Sequence, residues 1–296
     1  MTENRLAFQG GWRTVVGFAV AFALVTAIWV PLNSAVTNLS AWATLATDLG
    51  KFAVILGCVW ILLQIDGTRF TALGLSRRHL FTALAAFSGI WVAMNVLGIG
   101  LAVATGNDWA VSMIWHLPDE HPAIQQYGPL PATWLVFILL NFLVIGLVEE
   151  VAFRGHFQSK MIALLGDDTR LHIALGIGAT TIAFGAMHTP SAIVAGRSLG
   201  GVVSAALAPT LTAVLFGVFY ELTHNVYFVA LLHGFGNTWP IVVEWTNWSG
   251  NALIAFWIGT TCIYLGVTLA YRYWMNDYDS GKTIKRNGAS SPTPGE

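Results

Sequence analysis

Eight runs of the chain are apolar over about the 20 residues that an α-helix needs to cross the hydrocarbon core of a bilayer. They begin near Thr14, Leu45, Leu80, Ala132, Leu171, Ala205, Val226 and Ala252, and the first three end near Leu32, Ile65 and Ala104. Of the 296 residues 55% are hydrophobic and 10% are Asp, Glu, Lys or Arg. A soluble domain carries about 25% charged residues, so this chain cannot cover a water-facing surface and a soluble enzyme is excluded. Its 14 Lys plus Arg are balanced by 15 Asp plus Glu, which excludes a basic nucleic-acid binder. The expected fold is all-α, a polytopic membrane protein of about eight transmembrane helices. Cys58 and Cys262 both lie inside apolar runs, without a spacing that suggests a disulfide or a metal pair.

The first run is longer than a signal-peptide core and ends in Pro31-Leu32-Asn33 without a small-residue cleavage pattern, so it reads as a retained helix. Placing the N-terminus in the cytoplasm puts Arg5, Arg13, Arg69, Arg77, Arg78, Arg154, Lys160, Arg170, Arg272, Lys282, Lys285 and Arg286 inside, with only Lys51 and Arg197 outside. That asymmetry predicts both termini inside, in a multi-pass protein of the plasma (inner) membrane. The stretch Thr105 to Pro129 has no Lys or Arg and reads as an outer loop, with Trp109 and Trp115 suited to the headgroup level. Four regions follow: N-terminal helices and outer loop over 1–130, a core over 131–245, a last helix over 246–273, and a polar, disordered cytoplasmic tail over 274–296.

An ionisable side chain inside a span costs several kcal/mol, roughly 2.5–3.5 on insertion scales, and is a functional candidate by default. Such residues concentrate between Glu149 and Asn237. Glu149-Glu150-Val151-Ala152-Phe153-Arg154 follows the apolar run Trp134 to Val148. On a helix Glu150 and Arg154 share a face and can pair, while Glu149 points elsewhere. His188 ends Phe184-Gly185-Ala186-Met187-His188. The polar turn Gly166-Asp167-Asp168 lies midway between it and the glutamates, so an antiparallel hairpin returns His188 to their level. In His233-Gly234-Phe235-Gly236-Asn237 the His and the Asn lie one turn apart on one face, and the glycines allow another backbone or a substrate to approach. His79, His116, His121, His156, His172, Glu221 and His224 read as ordinary interfacial residues. Interhelical hydrogen bonding is the competing reading for each polar cluster.

The string His-Glu-x-x-His of a zincin is absent. Ser198 lies in a charged outer loop, and Asp167 and Asp168 are adjacent rather than on two helices. What remains suits hydrolysis by an activated water: Glu149 desolvated as proton acceptor, His188 sharing the proton, His233 and Asn237 as oxyanion donors, Glu150 and Arg154 in support. Glu149, His188 and His233 are also a possible zinc ligand set. Two other classes accommodate the same cluster, a non-enzymatic membrane immunity or scaffold protein and a proton-coupled transporter, although no transporter-type repeat is visible.

The succession Glu-Glu-x-x-x-Arg, Phe-x-x-x-His and His-x-x-x-Asn, each on its own hydrophobic helix, resembles the CAAX protease and bacteriocin-processing family, also called the Abi family, which includes the CAAX-processing type II endopeptidase. Glu149 to Gly155 resembles its Glu-Glu-x-x-Phe-Arg-Gly core, and Phe216-Gly217 to Tyr220-Glu221 the segment before its last His; the likeness runs from about Trp134 to Val243. It implies an intramembrane endopeptidase, glutamate- or metal-dependent, with Glu149 and His188 activating the water, His233 and Asn237 forming the oxyanion site, and Glu150 and Arg154 supporting them. The implied partners are the lipid bilayer and a CAAX-like prenylated or leader-type peptide or protein substrate. The stretch Thr189 to Ser204 departs from the family pattern in its length and glycine content, and reads as an outer connection rather than a lid.

Overall fold

The computed structural model describes residues 8–37, 39–106, 127–128, 132–166, 169–241, 243 and 248–287, with the backbone alone from 276 onward. The described elements are helical. They are α1 (Trp12–Thr37), α2 (Ala41–Ile65), α3 (Arg77–Thr105), α4 (Thr133–Leu165), α5 (Arg170–Ala186), the short α6 (Thr189–Val194), α7 (Leu199–Thr223), α8 (Val226–Thr238) and α9 (Gly250–Asn287). Most of the expected outer loop, including Trp109 and Trp115, lies outside the described residues, as do Asp167, Asp168 and residues 288–296 of the expected tail. Helix α9 runs on past Tyr273, where the sequence ended the last span. The stretch after His188 is largely helical too, formed by α6 and the start of α7.

Polar residues at the helix starts fix where the helices begin. Ser40, Ser76, Thr169, Ser198 and Asn225 each accept a hydrogen bond from the backbone N–H three residues on. Each cap satisfies a donor that the helix leaves unpaired and contributes about 1 kcal/mol. Helix α4 is the hub: every side chain from Val148 to Gln158 is buried, as expected for a helix surrounded by others. Around it α1 packs on α2, α5 on α7, and α3 on both α8 and α9. The outer faces expose Val16, Val20, Leu24 and Ile28 of α1 and many like residues elsewhere. Such apolar surface is unsuited to water and suited to lipid. The protein is an integral, multi-pass membrane protein.

Among the described residues seven helices are long and apolar enough to span, where the sequence suggested about eight. The exception is α8, whose 13 residues rise only about 20 Å. It ends because Trp239 turns left-handed (φ 42°) and Pro240 follows. The described residues that follow, 239–241 and 243, are not helical. At the start of α8, Asn225 donates to the carbonyl of His79; beyond its end, Trp91 donates to the carbonyl of Pro240 and Val243 packs against Gly98. Asn225 and Val243 thus sit against His79 and Gly98, which lie about 28 Å apart along α3, close to the thickness of a bilayer core. Irregular backbone is tolerated at that depth because Ile241 and Val243 are buried in protein. Helix α9 returns antiparallel to α3, with Gly259 against Leu97 and Tyr271 hydrogen-bonded to Thr82.

One polar layer ties the start of α1 to the end of α2 and to α4. Gly10 N–H and Thr14 Oγ1 both donate to Asp66 Oδ1 at 3.0 Å, and Lys160 Nζ reaches the same oxygen at 2.5 Å. His156 Nε2 lies 3.1 Å from Asp66 Oδ2. Beside Lys160, Ser159 bonds Tyr220, which donates to the Leu73 carbonyl just ahead of α3. Arg78 then contacts Met275 of α9. His156 is therefore fully buried, not interfacial as its place in the sequence suggested: the Asp66 carboxylate reaches it from α2. The hydrogen bonds from His156, Lys160 and Thr14 hold the Asp66 carboxyl below its ordinary range even though burial alone raises it. Asp48, the acid inside α2, accepts from Tyr127 Oη at 2.6 Å.

Candidate active site

Helices α4 and α5 form the expected antiparallel hairpin. Gly176 packs on Ile162 so closely that a Cβ there would meet it at 2.5 Å, and Phe184 packs edge-on against Phe153 at 5.0 Å. The same register carries His188 to the level of Glu149. Both line one cavity of about 480 Å³, together with His233, Gly236 and Asn237 of α8. The structure therefore brings all four candidate catalytic residues together. Glu149 and His188 face the shared space without a hydrogen bond between them.

Glu150 and Arg154 do not line the cavity and hold neighbouring helices together. Arg154 Nη1 donates to Glu150 Oε1 at 2.9 Å, Nη2 donates to the carbonyl of Ala213 in α7, and the guanidinium lies 4.5 Å from the Phe184 ring centroid. Glu150 Oε1 also lies 2.7 Å from His233 Nδ1. One buried carboxylate thus links α4 to α8, and through Arg154 to α5 and α7. Breaking such a buried pair costs about 3–5 kcal/mol, which makes this cluster a structural support.

That bond decides what His233 can do. With Nδ1–H donated to Glu150, the ring turns Nε2 toward Glu149 Oε2 at 3.8 Å, beyond hydrogen-bond length but across the cavity wall. Phe216 and Phe184 hold the ring from two sides, at 5.6 and 5.9 Å. His188, in the turn after α5, is oriented by the end of that helix: Nδ1 donates to the Phe184 carbonyl at 2.8 Å, which leaves Nε2 as the lone-pair atom. Asn237 donates through Nδ2 to Oδ1 of Asn141 at 3.1 Å.

The two glycines of the His233–Asn237 turn have different surroundings. A Cβ on Gly234 would meet the Phe142 backbone at 2.8 Å and the Asn141 carbonyl at 3.1 Å, so this glycine lets α8 lie directly on α4. A Cβ on Gly236 would meet nothing within 4 Å; this one faces the cavity.

Sequence reasoning missed several groups at the site. Asn141 sits alone in an apolar run, and its only signal was its polarity at mid-span. From α9 come Trp257, Thr260, Thr261 and Tyr264, and from beyond α8 comes Trp239; all five line the cavity. Among the described residues no three His, Cys, Asp or Glu side chains are grouped to hold a metal ion.

Compared with known proteins, residues 131–239 match the family model described as type II CAAX prenyl endopeptidase Rce1-like. The matched segment runs from the start of α4 to the end of α8 and contains Asn141, Glu149, Glu150, Arg154, His188, His233 and Asn237. No curated protein and no solved structure matches the chain.

Proposed function

We propose, from the match of residues 131–239 to the Rce1-like type II CAAX prenyl endopeptidase family model, that the chain is a membrane protease and hydrolyses a peptide bond by direct attack of water. The observation that carries the reading is the convergence of Glu149 of α4, His188 of the turn after α5, and His233 and Asn237 of α8 on one cavity. Glu150 and Arg154 are meanwhile committed to each other and to neighbouring helices.

Glu149 accepts a proton from the water as its oxygen attacks the carbonyl carbon. His188, with Nε2 free, holds the same water through its lone pair. The carbonyl π electrons move onto oxygen, and that oxyanion accepts from the second N–H of Asn237 Nδ2. His233 Nε2 contributes a second donor only when the ring carries both protons, because Nδ1–H is already given to Glu150. The proton held by Glu149 then passes to the leaving nitrogen as the C–N bond breaks. One water is consumed, and a carboxylate and a protonated amine are formed, the proton left on the new carboxylic acid passing to the amine.

The cavity rim favours a substrate that arrives through lipid. Ala208, Thr212 and Leu215 of α7 and Trp257 and Thr261 of α9 line the cavity and are also exposed on the outer surface. The space thus opens sideways between two helices, a geometry suited to a CAAX-like peptide with an isoprenyl chain. The face bearing Arg69, Arg77, Arg78 and Arg272 is taken as cytoplasmic, which assigns both termini to that side and fits a plasma (inner) membrane.

The test is cleavage of a farnesylated CAAX peptide by protein reconstituted in liposomes. Glu149→Gln and His188→Ala are expected to lower kcat at least about 100-fold, with melting temperatures in detergent near wild type. Wild-type kcat in either variant would overturn the assignment.

A further inference from the structure

The proposed chemistry needs Asn237 to present N–H to the oxyanion, and nothing in an Asn side chain enforces that. Its terminal torsion is broad and roughly two-fold, so the amide can turn over and exchange a donor for a lone pair. A lone pair aimed at a developing oxyanion is repulsive. Some neighbouring group must fix the amide.

Asn141 meets that requirement. It is buried in α4 and does not line the cavity. Its Nδ2 donates to the carbonyl of Phe137 at 2.9 Å. A carbonyl oxygen only accepts, so the Asn141 amide cannot turn over without losing that bond, and its Oδ1 is held toward α8. There it accepts from Asn237 Nδ2 at 3.1 Å. Facing an acceptor, Asn237 must turn Nδ2 to it and cannot substitute its own Oδ1. The carbonyl of Phe137 thus sets the amide of Asn141, which sets that of Asn237.

The backbone around Asn141 is built for this contact. Over Leu140–Ile145 α4 widens to π-type turns, with the Gly146 N–H reaching the Asn141 carbonyl five residues back. Such widened turns recur at functional sites. Gly146 and Gly234 bring the two helices together there: a Cβ on Gly146 would meet the Ala230 carbonyl at 2.7 Å, and one on Gly234 the Asn141 carbonyl at 3.1 Å. Larger residues at either position would part the two amides.

We propose that Asn141 is a positioning residue that commits the Asn237 amide to hydrogen-bond donation. The inference rests on Asn237 acting as the oxyanion donor, and the experiment separates the two. In liposomes with a farnesylated CAAX peptide, kcat, KM and melting temperature are measured for Asn141→Ala, Asn237→Ala and the double variant. Asn237→Ala is expected to lose about 100-fold in kcat. Asn141→Ala is expected to lose about tenfold, the scale of one hydrogen bond, with KM within about twofold. The double variant should be no slower than Asn237→Ala alone, because Asn141 acts only through Asn237. Asn141→Ser, whose hydroxyl can still bond the Phe137 carbonyl, serves if the alanine variant does not fold, with the same expectation. A loss of equal size in both backgrounds, or an unchanged kcat in the Asn141 variant, overturns the positioning role. An unchanged kcat in Asn237→Ala removes the oxyanion assignment itself, and the inference with it.

Discussion

Gly234 and Gly236 sit two residues apart on α8, and one methyl group on each should have opposite consequences. At Gly234 the added Cβ would lie 2.8 Å from the Phe142 Cα and from its ring, and 3.1 Å from the Asn141 carbonyl oxygen. Carbon contacts are most favourable at about 3.5–4.0 Å. The Phe142 ring can rotate, but its Cα belongs to the hub helix, so α8 must retreat by about 1 Å to restore contact distance. His233 precedes this residue and Asn237 is three residues further on, so both the 2.7 Å bond to Glu150 and the 3.1 Å bond to Asn141 stretch together. Overpacking of this kind costs about 1–3 kcal/mol. A displacement of about 1 Å in catalytic groups lowers the rate by about 100-fold.

At Gly236 the same methyl enters open cavity, with no atom within 4 Å. Gly236→Ala should therefore leave the melting temperature within about 1 °C of wild type, since no packed contact is disturbed. Its effect should fall on substrate binding, as a KM increase of about tenfold if the peptide backbone passes there. The assay is a full kcat and KM determination in liposomes, with thermal unfolding in detergent, for Gly234→Ala and Gly236→Ala side by side. Wild-type kcat and melting temperature in Gly234→Ala would refute the close approach of α8 to α4, and with it the physical basis of the site's registration. A large loss of stability in Gly236→Ala would refute its assignment to the cavity wall.

Two further outcomes test the buried charges. Arg154→Ala leaves Glu150 buried with His233 as its remaining ionisable partner and should destabilise the fold by about 3–5 kcal/mol, read as aggregation or a lowered melting temperature in detergent; Glu149→Gln should cost activity alone. For Asp66 the folded-state pKa lies below its unfolded value, so its contribution to stability is present above about pH 4 and is lost as pH falls through the lower, folded value. The melting temperature of the wild type should fall on acidification below about pH 4, and Asp66→Asn should remove part of that dependence while lowering the neutral-pH melting temperature; an Asp66→Asn curve parallel to wild type down to acid pH would contradict the linkage.

What the sequence disclosed depended on where a residue's partner lies. Glu150 and Arg154, and His233 and Asn237, are each four apart, so helical periodicity alone places them on common faces. The approach of His188 to Glu149 followed from a turn at equal distance from both, because every helical residue rises by the same amount. In contrast, the contacts that give these residues different tasks cross between helices: Glu150 to His233, Asn237 to Asn141, Lys160 and His156 to Asp66. No period encodes them, so Glu150 was legible as a partner of Arg154 but not as the group that dictates the His233 tautomer. The shortfall of α8 has a similar cause. A run of apolar residues reports that a segment is buried, and it does so equally for helix and for the non-helical Ile241 and Val243, the second of which packs against Gly98 of α3.

The same distinction explains why isolated polar residues in the spans were harder to interpret than clustered ones. Asn141, Asp48 and His156 each appear in the sequence as a single cost without a visible return, and a lone polar side chain in an apolar run fits a packing contact as well as a functional one. Each has a partner in the folded chain: Asn237 for Asn141, Tyr127 for Asp48 and Asp66 for His156. Only for Asn141 does that partner itself line the cavity. Polarity inside the membrane therefore identifies where a cross-helix contact must exist, and the identity of the partner then determines its task. Asp48 and His156 lead to side chains that do not line the cavity, and Asn141 leads to one that does; that difference is what the Asn141 and Asn237 double variant measures.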